Sequence, residues 1–284
     1  MYEMDLWPES LLAGGISKKS LIYKYYRKMS AKIYLHFDKI LVSTKEHIKY
    51  IKELPNCNFL NIDYLPQYAD TIFEQTSYKG INNGIIDLMF AGYIGKAQSI
   101  KTIIKAAHLL KDYPKYKFHI VGNGSEFESI KRFAEELETS NVIFYGTKPL
   151  CEMPKMYELA DVMLVSLEDK SYANMTIPGK VQSYMAAGKP IMGSINGSCY
   201  NFIINNGIGW ACASGDYESL ANVIKNLKEK EITLIGHTAK EVYYKKYSKQ
   251  LFINRLSRFL NKRRELLSVQ VDIVWSYALV LCRC

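Results

Sequence analysis

The stretch Thr176-Ile177-Pro178-Gly179-Lys180 runs into Val181-Gln182-Ser183-Tyr184-Met185-Ala186-Ala187 and stops at Gly188-Lys189-Pro190. This spacing predicts a loop entering a short helix. Pro178 suits a first helical turn, where an amide has no hydrogen bond to lose. Val181, Tyr184, Met185 and Ala187 supply an apolar face. Gly188 fits a left-handed C-cap, and Pro190 blocks continuation. The first-turn amides point at whatever lies ahead of them, and Lys180 beside them favours an anion such as a diphosphate. An ordinary crossover helix would carry the same residues, so this stretch alone leaves both readings open.

The flanking segments place that helix in a regular series. Strands are expected at Ile85 to Ala91, Lys117 to Val121, Val142 to Tyr145, Val162 to Val165, Pro190 to Met192 and Trp210 to Cys212. Helices alternate with them: one presents Ile100, Ile103, Ile104, Ala107 and Leu110, another Ile130, Ala134 and Leu137. Met153 to Ala160 and Asp216 to Leu227 read as two more. This alternation predicts a doubly wound parallel sheet. Gly92-Tyr93-Ile94-Gly95 and Gly122-Asn123-Gly124 follow its first two strands, which puts the ligand crevice on that edge.

Upstream, a helix over residues 20–37, a strand from Lys39 to Ser43, a helix from Thr44 to Glu53 and a strand from Phe59 to Leu65 are expected. A polar connection, Gln67 to Gly84, ends in the turn Asn82-Asn83-Gly84, where a domain boundary is placed. From Thr238 one long helix is expected to about Leu267. Ser268 to Cys284 is apolar without helical periodicity and reads as a disordered or aberrant tail.

With 48% hydrophobic and 23% charged residues the chain belongs with folded globular proteins rather than disordered ones. The six cysteines lack metal-site or disulfide spacing and read as reduced, mostly buried thiols of a cytoplasmic protein. Met1 to Ser10 carries acids and no apolar core of a signal peptide. The net charge of +9 calls for an anionic partner, and no nucleic-acid pattern accompanies it. Lys18, Lys19, Lys24, Arg27, Lys28 and Lys32 interleave with Leu21, Ile22, Tyr23, Tyr25, Tyr26 and Met29. That mix suits a helix on an anionic membrane surface, and a solvated face would read the same.

Phe90-Ala91-Gly92-Tyr93-Ile94-Gly95-Lys96-Ala97-Gln98, Val121-Gly122-Asn123-Gly124 and the Thr176 to Pro190 stretch, in this order, resemble the donor-binding half of family 4 retaining glycosyltransferases. The likeness is greatest to bacterial enzymes that transfer N-acetyl-fucosamine-type sugars in O-antigen and capsule synthesis. Asp5 to Ser10, Ile40 to Thr44 and Tyr64-Leu65-Pro66-Gln67 extend it from about Met4 to about Glu265. The resemblance implies a GT-B fold, two Rossmann-like domains facing each other across a cleft. By it, Gly92, Tyr93 and Gly95 would form the turn over the donor phosphates, with Lys96, Gln98 and Lys180 facing the diphosphate. Lys96 and Lys180 are the catalytic candidates, because charge builds on the leaving diphosphate in the transition state. Gly122, Asn123 and Gly124 would wall the nucleotide site, and Gly146 to Lys148 ahead of Met153 would meet the base. Thr176, Ile177, Pro178, Gly179 and Ser183 complete the donor contacts. Ser183 and Met175 stand where much of the family has glutamates, and Glu168 and Asp169 read as loop charges. No Asp-x-Asp metal motif occurs, and no cofactor is expected.

A full N-terminal Rossmann half would precede Asp5 by on the order of a hundred residues. The expected organisation is therefore a partial acceptor-side domain (1–83), a donor domain (84–235), a helix crossing back (236–267) and the tail (268–284). The implied activity is transfer of a sugar, of the UDP-N-acetyl-sugar type, to a lipid-linked acceptor at the cytoplasmic face of the cell membrane. A non-catalytic nucleotide-sugar-binding fragment, or one half of a split enzyme with a separate N-terminal chain, is the alternative. A GT-B epimerase ranks low, and no Gly-x-Gly-x-x-Gly run supports an NAD enzyme.

Overall fold

Runs of apolar residues between glycine-rich turns become strands buried on both faces, and the amphipathic stretches between them become the covering helices. The computed structural model describes residues 1–12, 15–76, 81 and 84–267. It contains two parallel sheets. The smaller joins β1 (Tyr2–Glu3), β2 (Ile40–Val42) and β3 (Ile62–Tyr64) in that order. It is served by α1 (Leu21–Tyr34) and α2 (Lys45–Lys52), over a core that includes Leu6, Tyr34, Ile40, Val42 and Ile51.

The larger sheet is built from β4 (Ile86–Ala91), β5 (Tyr116–Val121), β6 (Val142–Gly146), β7 (Val162–Ser166), β8 (Ile191–Ser194) and β9 (Gly209–Cys212). Their order is β6-β5-β4-β7-β8-β9, so the winding reverses between β4 and β7. Helices α3 (Ile100–Leu109), α4 (Phe127–Glu136), α5 (Met153–Leu159), α6 (Ser171–Asn174), α7 (Lys180–Ala186) and α8 (Gly197–Asn205) connect them, and α9 (Tyr217–Lys225) follows the last strand. Alternation along β4 splits the core: Leu88 and Phe90 join one apolar cluster, Met89 and Ala91 the other. The parallel α/β class expected from the sequence is the one found.

Several expectations are corrected. The connection from Gln67 is not simply polar, because a 3-10 turn at Thr71–Gln75, capped by Asp70, buries Phe73 in the larger sheet's core. Asn82 and Asn83 lie outside the described residues, as does the tail 268–284. The long C-terminal helix is two helices, α10 (Glu229–Lys246) and α11 (Lys249–Leu267). Tyr247 ends the first, and Ser248 accepts the Phe252 amide to begin the second. Helix α10 packs on α7, with the Tyr243 hydroxyl donating to Glu74 Oε1 at 3.0 Å. Phe252 of α11 meets Tyr2 and Tyr68, and Lys39 lies 5.3 Å from the Phe259 ring centre, so α11 lies against the smaller sheet's residues. No helix among the described residues is long and apolar enough to cross a membrane.

Candidate functional site

In a sheet of this order the loops after β4 and β7 diverge to opposite faces and leave a crevice at the strands' carboxyl ends. A cavity of about 450 Å³ lies at that edge. Its floor is the end of β4 and β5, Ala91 and Val121, followed by Gly92, Tyr93, Gly122 and Asn123. Thr147 and Lys148 enter from the loop after β6, Met153 and Tyr157 from α5, and Lys180 and Ser183 from the first turns of α7.

The two glycine loops nearly touch. Gly92 (φ 143°) and Gly122 (φ 130°) adopt conformations that side chains disfavour. A Cβ on Gly122 would stand 1.9 Å from the Gly92 carbonyl oxygen. The Gly92 N–H donates to Val121 O at 2.9 Å, and the Gly122 N–H to Gly146 O at 2.8 Å, so the three loops form one backbone-bonded rim.

Helix α7 is locked against that rim. The Tyr184 hydroxyl donates to Ala91 O at 3.1 Å and accepts from Ala91 N at 3.2 Å. Gly188 (φ 69°) closes the helix as expected, with Lys189 N–H donating to Tyr184 O at 3.0 Å. Val181, Tyr184, Met185 and Ala187 are buried, as the apolar spacing predicted. Pro178 corrects another expectation: the helix begins at Lys180, so Pro178 stands outside the first turn. Its carbonyl accepts the Val181 amide at 2.9 Å, which leaves that first-turn N–H already committed.

Lys180 is the charged group most deeply involved. Its Nζ lies 3.8 Å from the centre of the Phe90 ring, and a Cβ on Gly92 would come within 2.6 Å of it. Among the described residues no hydrogen bond or carboxylate reaches this ammonium. Burial lowers its pKa from 10.5 to about 7. Lys148 is the second cation at the cavity, and no Asp or Glu lines it. The cavity therefore combines cationic groups, side-chain-free glycine turns that leave room beside them, and aromatic walls, a combination suited to an anion joined to a planar group.

The remaining candidates stand elsewhere. Lys96 is exposed on a 3-10 turn (Lys96–Gln98) and does not line the cavity. Gln98 closes that turn by accepting the Gly95 N–H at 3.2 Å, so both serve the loop's shape. Gly124 backs onto Ile94 O, and its N–H donates to Asn123 Oδ1. Thr176 donates to Tyr172 O at 3.0 Å and Ile177 packs into the core, so with Pro178 and Gly179 they form the approach to α7 rather than the cavity wall. Met175 belongs to a contact with the smaller sheet, its carbonyl accepting from Thr44 Oγ1 at 3.0 Å. Glu168 accepts from the Tyr172 hydroxyl and Asp169 from Asn174, which ties down the loop after β7. Sequence reading placed Thr147 at the site within the Gly146 to Lys148 segment but missed Phe73 and Tyr157. The i, i+4 spacing of Met153 and Tyr157 was a usable signal, whereas Phe73 reaches the cavity from the connection and stacks on Tyr157 at 4.9 Å.

A parallel α/β sheet with a cation-bearing cavity at its switch point, beside a second parallel sheet, is the arrangement of the GT-B fold. The chain belongs to the family of glycosyl transferases group 1, whose pattern matches residues 73–263. It is 29% identical over 264 residues to the probable glycosyltransferase WbjE of Pseudomonas aeruginosa, covering 89% of this chain and 65% of that protein. A putative colanic acid biosynthesis glycosyl transferase of Escherichia coli, WcaI, is 27% identical over 101 residues, 36% of this chain and 24% of its own length. The Anabaena HepE structure, in complex with UDP and glucose, superposes with a TM-score of 0.73 at 13% identity, over 91% of this chain and 71% of HepE. The chain thus spans just under two thirds of its relative WbjE, and the fold is that of the GT-B glycosyltransferases.

Proposed function

We propose that this chain is a retaining glycosyltransferase of cell-surface polysaccharide synthesis. It takes a nucleotide-diphosphate sugar of the UDP-N-acetyl-sugar type and delivers the sugar to a lipid-linked acceptor at the inner face of the membrane. The observation that carries this reading is the buried Lys180 amine, which lies over the Phe90 ring and meets no carboxylate or hydrogen-bond partner among the described residues. Holding a cation there without an anion costs folding free energy, and a diphosphate would offset that cost.

In the reaction the bond between the sugar's anomeric carbon and the diphosphate oxygen breaks, and a bond to an acceptor hydroxyl oxygen forms on the same face. The hydroxyl proton leaves to the diphosphate or solvent. Lys180 sits where the leaving oxygens gain charge, and Lys148 faces the same space from the loop after β6. Tyr157, Phe73 and Met153 provide the apolar wall for the base, and Ser183 offers a hydroxyl toward the ribose. No cofactor enters this scheme.

The relatives support it by name: WbjE is a probable glycosyltransferase, WcaI belongs to colanic acid biosynthesis, and HepE holds UDP and glucose. A second reading is a nucleotide-sugar-binding chain that transfers only with a separate acceptor-side chain. Calorimetric titration with UDP and UDP-N-acetylglucosamine, followed by a transfer assay, tests both. Saturable binding lost in Lys180→Ala supports the donor site, and its absence from a folded chain sinks the proposal. Transfer by the chain alone, with the product's anomeric configuration read by NMR, excludes the second reading and tests retention.

A further inference from the structure

Helix α1 has two outward rows that the catalytic reading does not use. Its buried side is Tyr23, Ser30, Ala31 and Tyr34. Beside that face Ile22, Tyr26, Met29 and Ile33 follow one another at i, i+4, i+7 and i+11 as one apolar row, Ile22 and Ile33 exposed and Tyr26 and Met29 half-buried. Lys24, Lys28 and Lys32, all exposed, form a parallel cationic row. Leu21, 82% exposed, heads the lysine row, and Tyr25, 65% exposed, lies between the two. The helix contains no Asp or Glu.

An apolar face this exposed on a folded domain needs a partner, and the lysine row sets that partner's sign. We infer that α1 is a membrane-docking helix whose occupant is an anionic lipid bilayer surface. The apolar row enters the headgroup boundary, while the lysines extend along it to lipid phosphates. Trp7 strengthens the assignment. It is 46% exposed and packs edge-on to Tyr26 at 5.9 Å, adding an amphipathic indole of the kind favoured at membrane interfaces.

Trp7 also connects the helix to the cleft. It stands one residue, Pro8, before the segment Glu9–Leu12, a 3-10 helix that meets α6, and the chain after α6 leads through Pro178 to Lys180. Glu9, buried, accepts from the Tyr23 hydroxyl of α1 at 2.5 Å and pins this segment to the helix. A bilayer held by α1 therefore lies one short segment from the chain that carries Lys180. This deepens the proposed function, on which it rests for the lipid-linked nature of the acceptor.

The test is flotation of the full chain with vesicles of phosphatidylcholine alone and with added phosphatidylglycerol, at low and high salt. Binding to the anionic vesicles only, weakened by salt, is expected. The triple variant Lys24→Glu, Lys28→Glu, Lys32→Glu should lose at least about a hundredfold in apparent affinity, since removing each lysine's charge alone costs roughly fivefold and the glutamates add repulsion. Leu21→Ser with Tyr25→Ser should weaken binding while keeping the salt dependence, and a blue shift of tryptophan emission on binding should shrink in Trp7→Phe. Circular dichroism and UDP titration of each variant confirm folding and an intact donor site. Equal binding to both vesicle types, no binding by a chain that still binds UDP, or full binding by the charge-reversed variant overturns the inference and leaves the donor reading standing. Dimerisation abolished by Leu21→Ser and Tyr25→Ser would assign this face to a second copy and equally overturn it.

Discussion

The Tyr184 hydroxyl bonds both the carbonyl and the amide of Ala91, at 3.1 and 3.2 Å, from the middle of α7 to the last residue of β4. The two residues are 93 positions apart, and this pair sets the distance between the helix carrying Lys180 and the strand preceding Gly92. Tyr184→Phe leaves two buried backbone groups without that partner. Stability should fall by about 1–3 kcal/mol, and nucleotide binding should weaken although Tyr184 does not line the cavity. Urea denaturation and calorimetry measure the two effects.

Lys180 makes binding pH-dependent. In the free protein its pKa is about 7, so above that pH a growing fraction of the amine is neutral. A bound diphosphate requires the ammonium, so UDP binding near pH 8 should take up a proton, and affinity should fall as pH rises above 7. Calorimetry in buffers of different ionisation enthalpy reads the uptake directly, and Lys180→Met should abolish it.

The same residue should oppose stability at neutral and acid pH. The unfolded side chain titrates near the ordinary 10.5, so between about 7 and 10.5 the unfolded chain binds the extra proton. The destabilisation is fully present below 7 and fades as pH rises through that window. Lys180→Met should therefore raise the urea midpoint at pH 6.5 while lowering UDP affinity at least tenfold, a trade-off expected of a binding residue. Lys96→Ala, changing an exposed side chain outside the cavity, should leave UDP affinity within about twofold.

Gly122→Ala places a methyl group 1.9 Å from the Gly92 carbonyl oxygen at φ 130°. The loops must separate, so nucleotide binding should be lost, with a stability loss of at least about 2 kcal/mol. Gly146→Ala is the control: its φ of 65° is also positive, but nothing lies within 4 Å of the added carbon. It should carry backbone strain alone.

His47 on α2 is fully buried with neither ring nitrogen hydrogen-bonded, and burial lowers its pKa from 6.5 to about 4. Below pH 6.5 the unfolded chain gains a proton that the folded chain refuses, so stability should decline from pH 6.5 toward 4. His47→Leu should flatten that part of the profile in urea midpoints measured across it.

What the residues determined unaided was local and periodic. Apolar runs such as Leu88-Met89-Phe90-Ala91, separated by amphipathic helices, admit little but a parallel sheet covered on both faces. The Gly188 cap and the glycine turns after β4 and β5 were legible because left-handed or closely approaching backbone leaves glycine as the permissive choice. The break at Tyr247-Ser248 was not legible, since the helical pattern continues across it and its reason is the packing of α10 on α7 and α11 on the smaller sheet.

The tertiary structure alone decided which cation faces the cavity. Lys96 and Lys180 both flank glycine turns, but the turn at Lys96 directs its side chain to solvent while α7 lays Lys180 over Phe90 beside Gly92. It also recruited Phe73 from a segment that sequence reading took for polar linker. Periodicity records which face of an element is buried, whereas the meeting of Lys180, Phe73 and Tyr157 depends on strand order. That order is set by how the crossovers pack, and no local spacing encodes it.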